Sequence, residues 1–252
     1  MIGVSCTNLA SENVEKVLER VSKDFQHWEI ISEGEHHLPY VVDRLKDAMP
    51  SYDMTYSIHA PISDVNLGSL SERMREASTM EILLTMECAA TLGIETVTIH
   101  PGHRPFIVDG IPDARAEAMT RKSLRIIDRL SKDFGVKVAL ENMPDFFMLQ
   151  GRSFEEFNSL IEGSEIGICF DIGHANTVGQ MDEFLSLKDR FVNVHVHDND
   201  GSGDQHLTVG DGNAPVEKAL RSLNSYKGNL IIEAKSLESA VESRERMLKM
   251  FQ

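Results

Sequence analysis

Along the chain, short runs rich in β-branched and other apolar residues alternate with longer stretches in which apolar positions recur every three or four residues. The short runs are Ile2–Ser5, His27–Ile31, Tyr56–His59, Thr96–His100, Val136–Glu141, Ile166–Asp171, Val192–His197 and Leu230–Glu233. Between them the helical spacing predicts helices from about Ser11 to Lys23, near Leu38–Ala48, over Ser69–Leu92, near Ala114–Phe134, from Ser153 onward, near Met181–Leu187, near Val216–Leu223, and to Phe251. Ser11 and Ser153 are suited to N-capping, and Gly93 and Gly135 to closing the helices before them. Strict βα alternation argues for a parallel sheet. Eight such units in about 250 residues argue for a closed (β/α)₈ TIM barrel of the α/β class over an open doubly wound sheet. No Gly-x-Gly-x-x-Gly turn follows Ser5, as a dinucleotide-binding open sheet would require. No linker or low-complexity stretch divides the chain, so residues 1–252 are expected to form one domain.

Composition narrows the partners. A hydrophobic fraction of 41% supports a sizeable core and excludes a disordered or fibrous chain. Twenty-five Lys and Arg against 40 Asp and Glu give a formal charge of −15, which disfavours polyanions such as nucleic acid. Cys6, Cys88 and Cys169 lie far apart and are odd in number, forming neither a disulfide framework nor a Cys-x-x-Cys zinc site. The opening MIGVSCTNLASE lacks a basic segment followed by a long apolar stretch, and no apolar run reaches membrane-spanning length. A cytoplasmic protein with reduced thiols and no membrane partner is expected.

The chemistry lies at the strand ends. Ser-Ile-His59, Thr-Ile-His100, Ala-Leu-Glu141, Cys-Phe-Asp171, His-Val-His197 and Ile-Ile-Glu233 each close an apolar run with a residue able to bind a metal or move a proton. In a barrel these ends converge on one mouth, where barrel enzymes carry their active sites. Two loops add donors: Asp171-Ile-Gly-His174, and Asp204-Gln-His206 after the bendable stretch Asp200–Gly203. Carboxylates gathered there would repel one another and raise each other's pKa unless cations neutralised them. Imidazole and carboxylate without thiolate suit Zn or Mn better than Ca or Mg. Strand alternation puts Asn193, His195 and His197 on one face, with His197 at the mouth and His195 about 6–7 Å deeper, expected as a core residue or a support for a ligand over a ligand itself. His27, His36 and His37 have no such setting and are expected at the surface.

The series HAP at His59, HPG at His100, ENM at Glu141, DIGH at Asp171 to His174, HVHDND at His195 to Asp200, DQHLTVGDG at Asp204 to Gly212 and IIEAK around Glu233 resembles the xylose isomerase-like barrel superfamily, from about residue 2 to 235. Its sugar isomerases and epimerases imply one divalent metal held by Glu141, Asp171, His197 and Glu233. Glu141 and Glu233 would be the catalytic acid/base pair. His174 would contact a sugar oxygen, and His100, Arg104 and Lys235 are further candidates for substrate contacts. Its other branch, endonuclease IV, implies three zinc ions: His59, His100 and Glu141 for one; Glu141, Asp171, His197 and Glu233 for the second; His174, Asp204 and His206 for the third.

Charge placement decides between the branches. The βα loops carry few cations, chiefly Arg104, Arg152 and Lys235, among many acids: Glu33, Glu35, Asp64, Asp109, Asp113, Asp145, Asp198, Asp200 and Asp211. Arg121, Lys122, Arg125 and Arg129 fall on a predicted helix of the outer wall. A duplex binder needs several phosphate contacts beside its pocket, and the loop Thr7–Ala10 is short, whereas the resemblance to endonuclease IV implies longer loops with basic and aromatic residues that enter the groove. The expectation is a metal-dependent isomerase or epimerase of a small carbohydrate, phosphorylated or not, with one to three ions. A zinc phosphodiesterase or apurinic-site endonuclease is the alternative. Phe106, Phe146 and Phe147 are expected to pack the loops together or to wall a sugar face.

Overall fold

Runs such as Ile-Gly-Val-Ser and His-Trp-Glu-Ile-Ile are buried along most of their length, as strands of a parallel sheet covered on both faces must be. The computed structural model describes residues 1–105 and 113–250. Its strands are β1 (Ile2–Ser5), β2 (His27–Ile31), β3 (Thr55–His59), β4 (Thr96–Ile99), β5 (Lys137–Glu141), β6 (Gly167–Asp171), β7 (Phe191–Val196) and β8 (Asn229–Glu233). They pair in parallel in sequence order, and β8 closes on β1 with Ser5 in register with Glu233. The closed eight-stranded barrel read from the alternation is therefore present.

The helices are α1 (Val14–Val21), α2 (Leu38–Ala48), α3 (Glu72–Thr91), α4 (Asp113–Phe134), α5 (Phe154–Ile161), α6 (Ile172–Thr177), α7 (Met181–Leu185), α8 (Val216–Ser222) and α9 (Leu237–Met250). On α1, Val14, Val17, Leu18 and Val21 form one buried stripe at helical spacing. Its cap is Asn13, whose side chain accepts from the Lys16 N–H at 3.0 Å; Ser11 instead ends a 3-10 turn, Thr7–Ser11. Ser153 caps α5 as expected, and Gly93 and Gly135 follow α3 and α4 at positive φ. The short α6 interrupts the segment between β6 and α7, where the sequence predicts loop. Among the described residues no helix is long and apolar enough to cross a membrane.

Inside the barrel, below the mouth, the packing is polar rather than the usual layers of branched apolar side chains. Glu29 on β2, Ser57 on β3, Thr98 on β4, and Asn193 and His195 on β7 are all buried and joined by hydrogen bonds. At the bottom, His27 is buried, with Nδ1 2.8 Å from Thr55 Oγ1 and Nε2 3.0 Å from Ser57 Oγ. His36 is buried too, its ring edge-on to Trp28 at 5.6 Å. Both correct the expected surface placement: His27 opens a fully buried strand, and His36 turns inward from a 3-10 turn.

Candidate metal centre

Three adjoining groups of donors fill the mouth. In the first, His59 at the end of β3 and His100 just after β4 both point at Glu141 Oε2, with Nε2 atoms at 3.2 and 3.0 Å. His59 Nδ1 donates to the Ala60 carbonyl at 2.8 Å. In the neutral ring this leaves a lone pair on Nε2 facing a carboxylate oxygen, an arrangement that needs a proton or a cation between the two. Burial alone would raise the Glu141 carboxyl, but the imidazoles of His195 and His100 outweigh it and hold the group well below the usual range.

The second group surrounds His195. Its Nδ1 lies 3.1 Å from Glu141 Oε1, 3.2 Å from Glu233 Oε1 and 3.9 Å from Asp171 Oδ2. A proton on Nδ1 could serve only one of these carboxylates, and a lone pair there could serve none without a cation; Asp171 Oδ2 is buried without a hydrogen-bond partner. Asp171 divides its roles: Oδ1 accepts from the His174 N–H at the start of α6, and Oδ2 is left for the site. Asn142 fixes its backbone, accepting from the Asp171 N–H at 2.8 Å and donating to the Asp171 carbonyl at 3.0 Å. Behind the ring, His195 Nε2 meets Glu29 Oε1 at 2.7 Å. Despite full burial, which would raise it, the Glu29 carboxyl is held down to about 2 by the His195 imidazole.

In the third group, ligand atoms of His174, His197, Asp204 and His206 lie within 4.8 Å of one another. His174 Nδ1 donates to the Asn142 carbonyl at 2.8 Å, and its Nε2 faces Asp204 Oδ2 at 3.5 Å. His197 Nε2 is buried with no hydrogen-bond partner, 3.2 Å from Asp171 Oδ1 and 3.5 Å from Asp204 Oδ1. Its ring stacks on His206 at 4.1 Å. Gly173 makes room for it, since a Cβ there would lie 2.0 Å from His197 Cε1. His206 is the single described non-glycine residue at positive φ, 45°, a strained conformation of the kind retained at ligand sites. Burial would lower His206, but Asp204 and Glu233 outweigh it and raise its imidazole to about 9. The His174 imidazole is raised well above the usual value, Asp171 and Asp204 overcoming burial.

The sequence places His197 with Glu141, Asp171 and Glu233; the structure puts His195 there and gives His197 to the third group. His195 follows Asn193 down the inner face, yet its Nδ1 reaches up among all three carboxylates, and strand-end counting missed it. Arg104 pairs with Glu156 and Arg152 with Asp145, while Lys235 is exposed. Several acids ascribed to the rim hold loops instead. Glu33 accepts from the N–H groups of Ile62 and Ser63, Asp211 pairs with Arg246, and the buried Asp198 carboxylate accepts from Asn199, Gly210, Gly212 and Ala214. Phe146 and Phe147 form an exposed edge-to-face pair at 5.3 Å. Phe106, Asp109 and the side chain of Asp113 lie outside the described residues.

Orphaned Asp171 Oδ2 and His197 Nε2, lone pairs facing carboxylates, and carboxylates crowded on one nitrogen all fit divalent cations with mixed N and O donors. Cys169 also approaches Glu141 and His195, but burial pushes its thiol well above the usual range, so it is no ready thiolate donor.

Uncharacterized protein MJ1311 of Methanocaldococcus jannaschii is 34% identical over 258 aligned positions, covering 96% of this chain and 86% of its own. A probable endonuclease 4 of Acholeplasma laidlawii is 28% identical over 183, covering 65% of this chain and 60% of its own. A crystal structure of a D-tagatose 3-epimerase-like protein superposes with a TM-score of 0.91 at 32% identity, covering 99% of this chain and 96% of that one. A family model described as xylose isomerase-like TIM barrel matches residues 21–250, and with the barrel and its ring of His and carboxylate donors in place, the chain belongs to that family.

Proposed function

We propose that the protein is a divalent-metal-dependent isomerase or epimerase of a small sugar or related polyhydroxy compound. The observation that carries this reading is the convergence of Glu141 and Glu233, from strands separated by β6 and β7, on one centre with Asp171 and His195. A cation held by these four residues would supply Lewis acidity, making a C–H beside a substrate carbonyl easier to ionise. Glu141 and Glu233 would then act as the acid/base pair, one taking a proton from the bound carbon and the other returning one. His174 and His206 would bind hydroxyl groups, with Asn142 keeping Asp171 and His174 in fixed relation. Similarity to the epimerase-like structure supports a small carbohydrate substrate. So do the loop arginines Arg104 and Arg152, which are committed to Glu156 and Asp145.

The test is a panel of ketoses and aldoses in D₂O with Mn, Co or Zn. Deuterium should enter the carbon beside the carbonyl, stop with chelator, and fall about 10²–10⁴-fold in Glu141→Gln and Glu233→Gln. One observation favours a second reading, a trinuclear zinc phosphodiesterase: His59, His100 and Glu141 form a donor group adjoining the other two. Three tightly bound zinc ions per chain, with salt-sensitive cleavage of an abasic duplex and no deuterium exchange, would decide for it.

A further inference from the structure

Glu29 is a carboxylate sealed inside the barrel, at 0% exposure, on a strand whose end contributes no donor to the mouth. Burying such a charge is costly unless every oxygen is matched by a donor. Here the match is complete. Oε2 accepts from Ser57 Oγ at 2.7 Å and from Asn193 Nδ2 at 2.6 Å, and Oε1 lies 2.7 Å from His195 Nε2. Asn193 Nδ2 also lies 3.0 Å from Thr98 Oγ1 and 3.2 Å from His195 Nε2, but at 2.7 Å from Glu29 Oε1, an acceptor only, the His195 Nε2 nitrogen carries the proton between them. Asn193 and Ser57 thus leave Glu29 a single free role, as acceptor for His195.

We infer that Glu29 is the positioning residue of the metal centre: by accepting the His195 Nε2 proton it fixes the imidazole tautomer and turns the Nδ1 lone pair toward Glu141, Asp171 and Glu233. A carboxylate behind a ligating imidazole also increases the ring's donor strength. An apolar residue at position 29 would fill the same space without either effect. The inference rests on the cation proposed above, and its failure can be told from that proposal's failure.

The test uses the full chain. Zinc affinity is measured by chelator competition and the Co(II) absorption spectrum is recorded for wild type and Glu29→Gln, which keeps the shape but removes the charge. Zinc binding should weaken about 10–100-fold in the variant, and the Co(II) bands should shift, while the metal-free proteins melt alike. A variant that only melts earlier, with affinity and spectrum unchanged, gives Glu29 a merely structural role and overturns the inference. Should Glu29→Gln not fold, wild type still decides. In histidine-labelled, metal-loaded protein, ¹⁵N NMR should show His195, identified by the signal missing in His195→Gln, protonated at Nε2; a proton on Nδ1 overturns the inference. If wild type binds no divalent cation, the proposed function falls and this inference with it; if it binds and the variant matches it, only the role of Glu29 falls.

Discussion

His195 and His197 stand two positions apart on the same face, and a one-carbon space separates their fates. Gly173 lets the His197 ring lie against α6, where it joins His174 and His206. Adding a methyl group to a helical glycine normally stabilises, by up to about 1 kcal/mol. At Gly173 the sign should reverse, because the new Cβ overlaps the buried His197 imidazole. Gly173→Ala should cost about 1–3 kcal/mol by overpacking, read as an earlier thermal melt, and should lower the amount of zinc retained after dialysis. A melt unchanged or raised would mean that the ring has room to move. Six of the candidate ligands, His59, His100, Glu141, Asp171, His197 and Glu233, were legible because each ends an apolar run. Glu29 and the partner set of His195 were not, since both depend on how far strands 2 and 7 are staggered around the ring, which no local pattern encodes.

At the scale of elements, the βα alternation exposed nearly every strand and helix, because burial on both faces leaves an unbroken apolar run. Boundaries moved where capping chemistry competed: Asn13 displaced Ser11 at α1, and Asp171 nucleated α6 in a stretch read as loop. The segment between β7 and α8 was legible as a bendable, Gly-rich stretch carrying the donors Asp204 and His206. What shapes it is Asp198, buried and bonded to four backbone N–H groups spread over residues 199–214. Charge-assisted bonds of this kind are roughly twice as strong as neutral ones. Asp198→Ala should release the segment carrying Asp204 and His206 while sparing the barrel. In hydrogen-exchange mass spectrometry, peptides covering 199–214 should exchange at least ~10-fold faster, with strand peptides unchanged. Equal protection in the variant would show that the Asp198–Leu207 pairing suffices to hold the segment.

For the whole molecule, the acids behind the charge of −15 include some committed to loops and ion pairs and a buried set at the mouth whose charge protons or cations would balance. In the metal-free protein the His206 imidazole, raised from 6.5 to about 9, stays charged well above neutrality. A raised histidine stabilises the fold below its unfolded value and loses that contribution as pH rises through its folded value. The opposite limb, loss of the depressed Asp204 carboxylate, belongs to acid pH, outside this window. With EDTA present, the melting temperature should therefore fall between pH 6.5 and 9, by ~2–4 °C per kcal/mol lost. With zinc the fall should be smaller, since the cation takes over from the protons and its affinity grows as they leave. A chelated protein that melts later at pH 9 than at pH 6.5 would contradict this.

The buried carboxylate on β2 also bears on how the chain can be made. Ser57 follows Glu29 after 28 residues, but Asn193 and His195 arrive only 164 and 166 residues later. An N-terminal half leaving the ribosome could enclose Glu29 only with most of its charge uncompensated, which penalises premature closure. A half-barrel of the early strands would thus carry this carboxylate with Ser57 alone as partner until the seventh strand delivers its amide and imidazole.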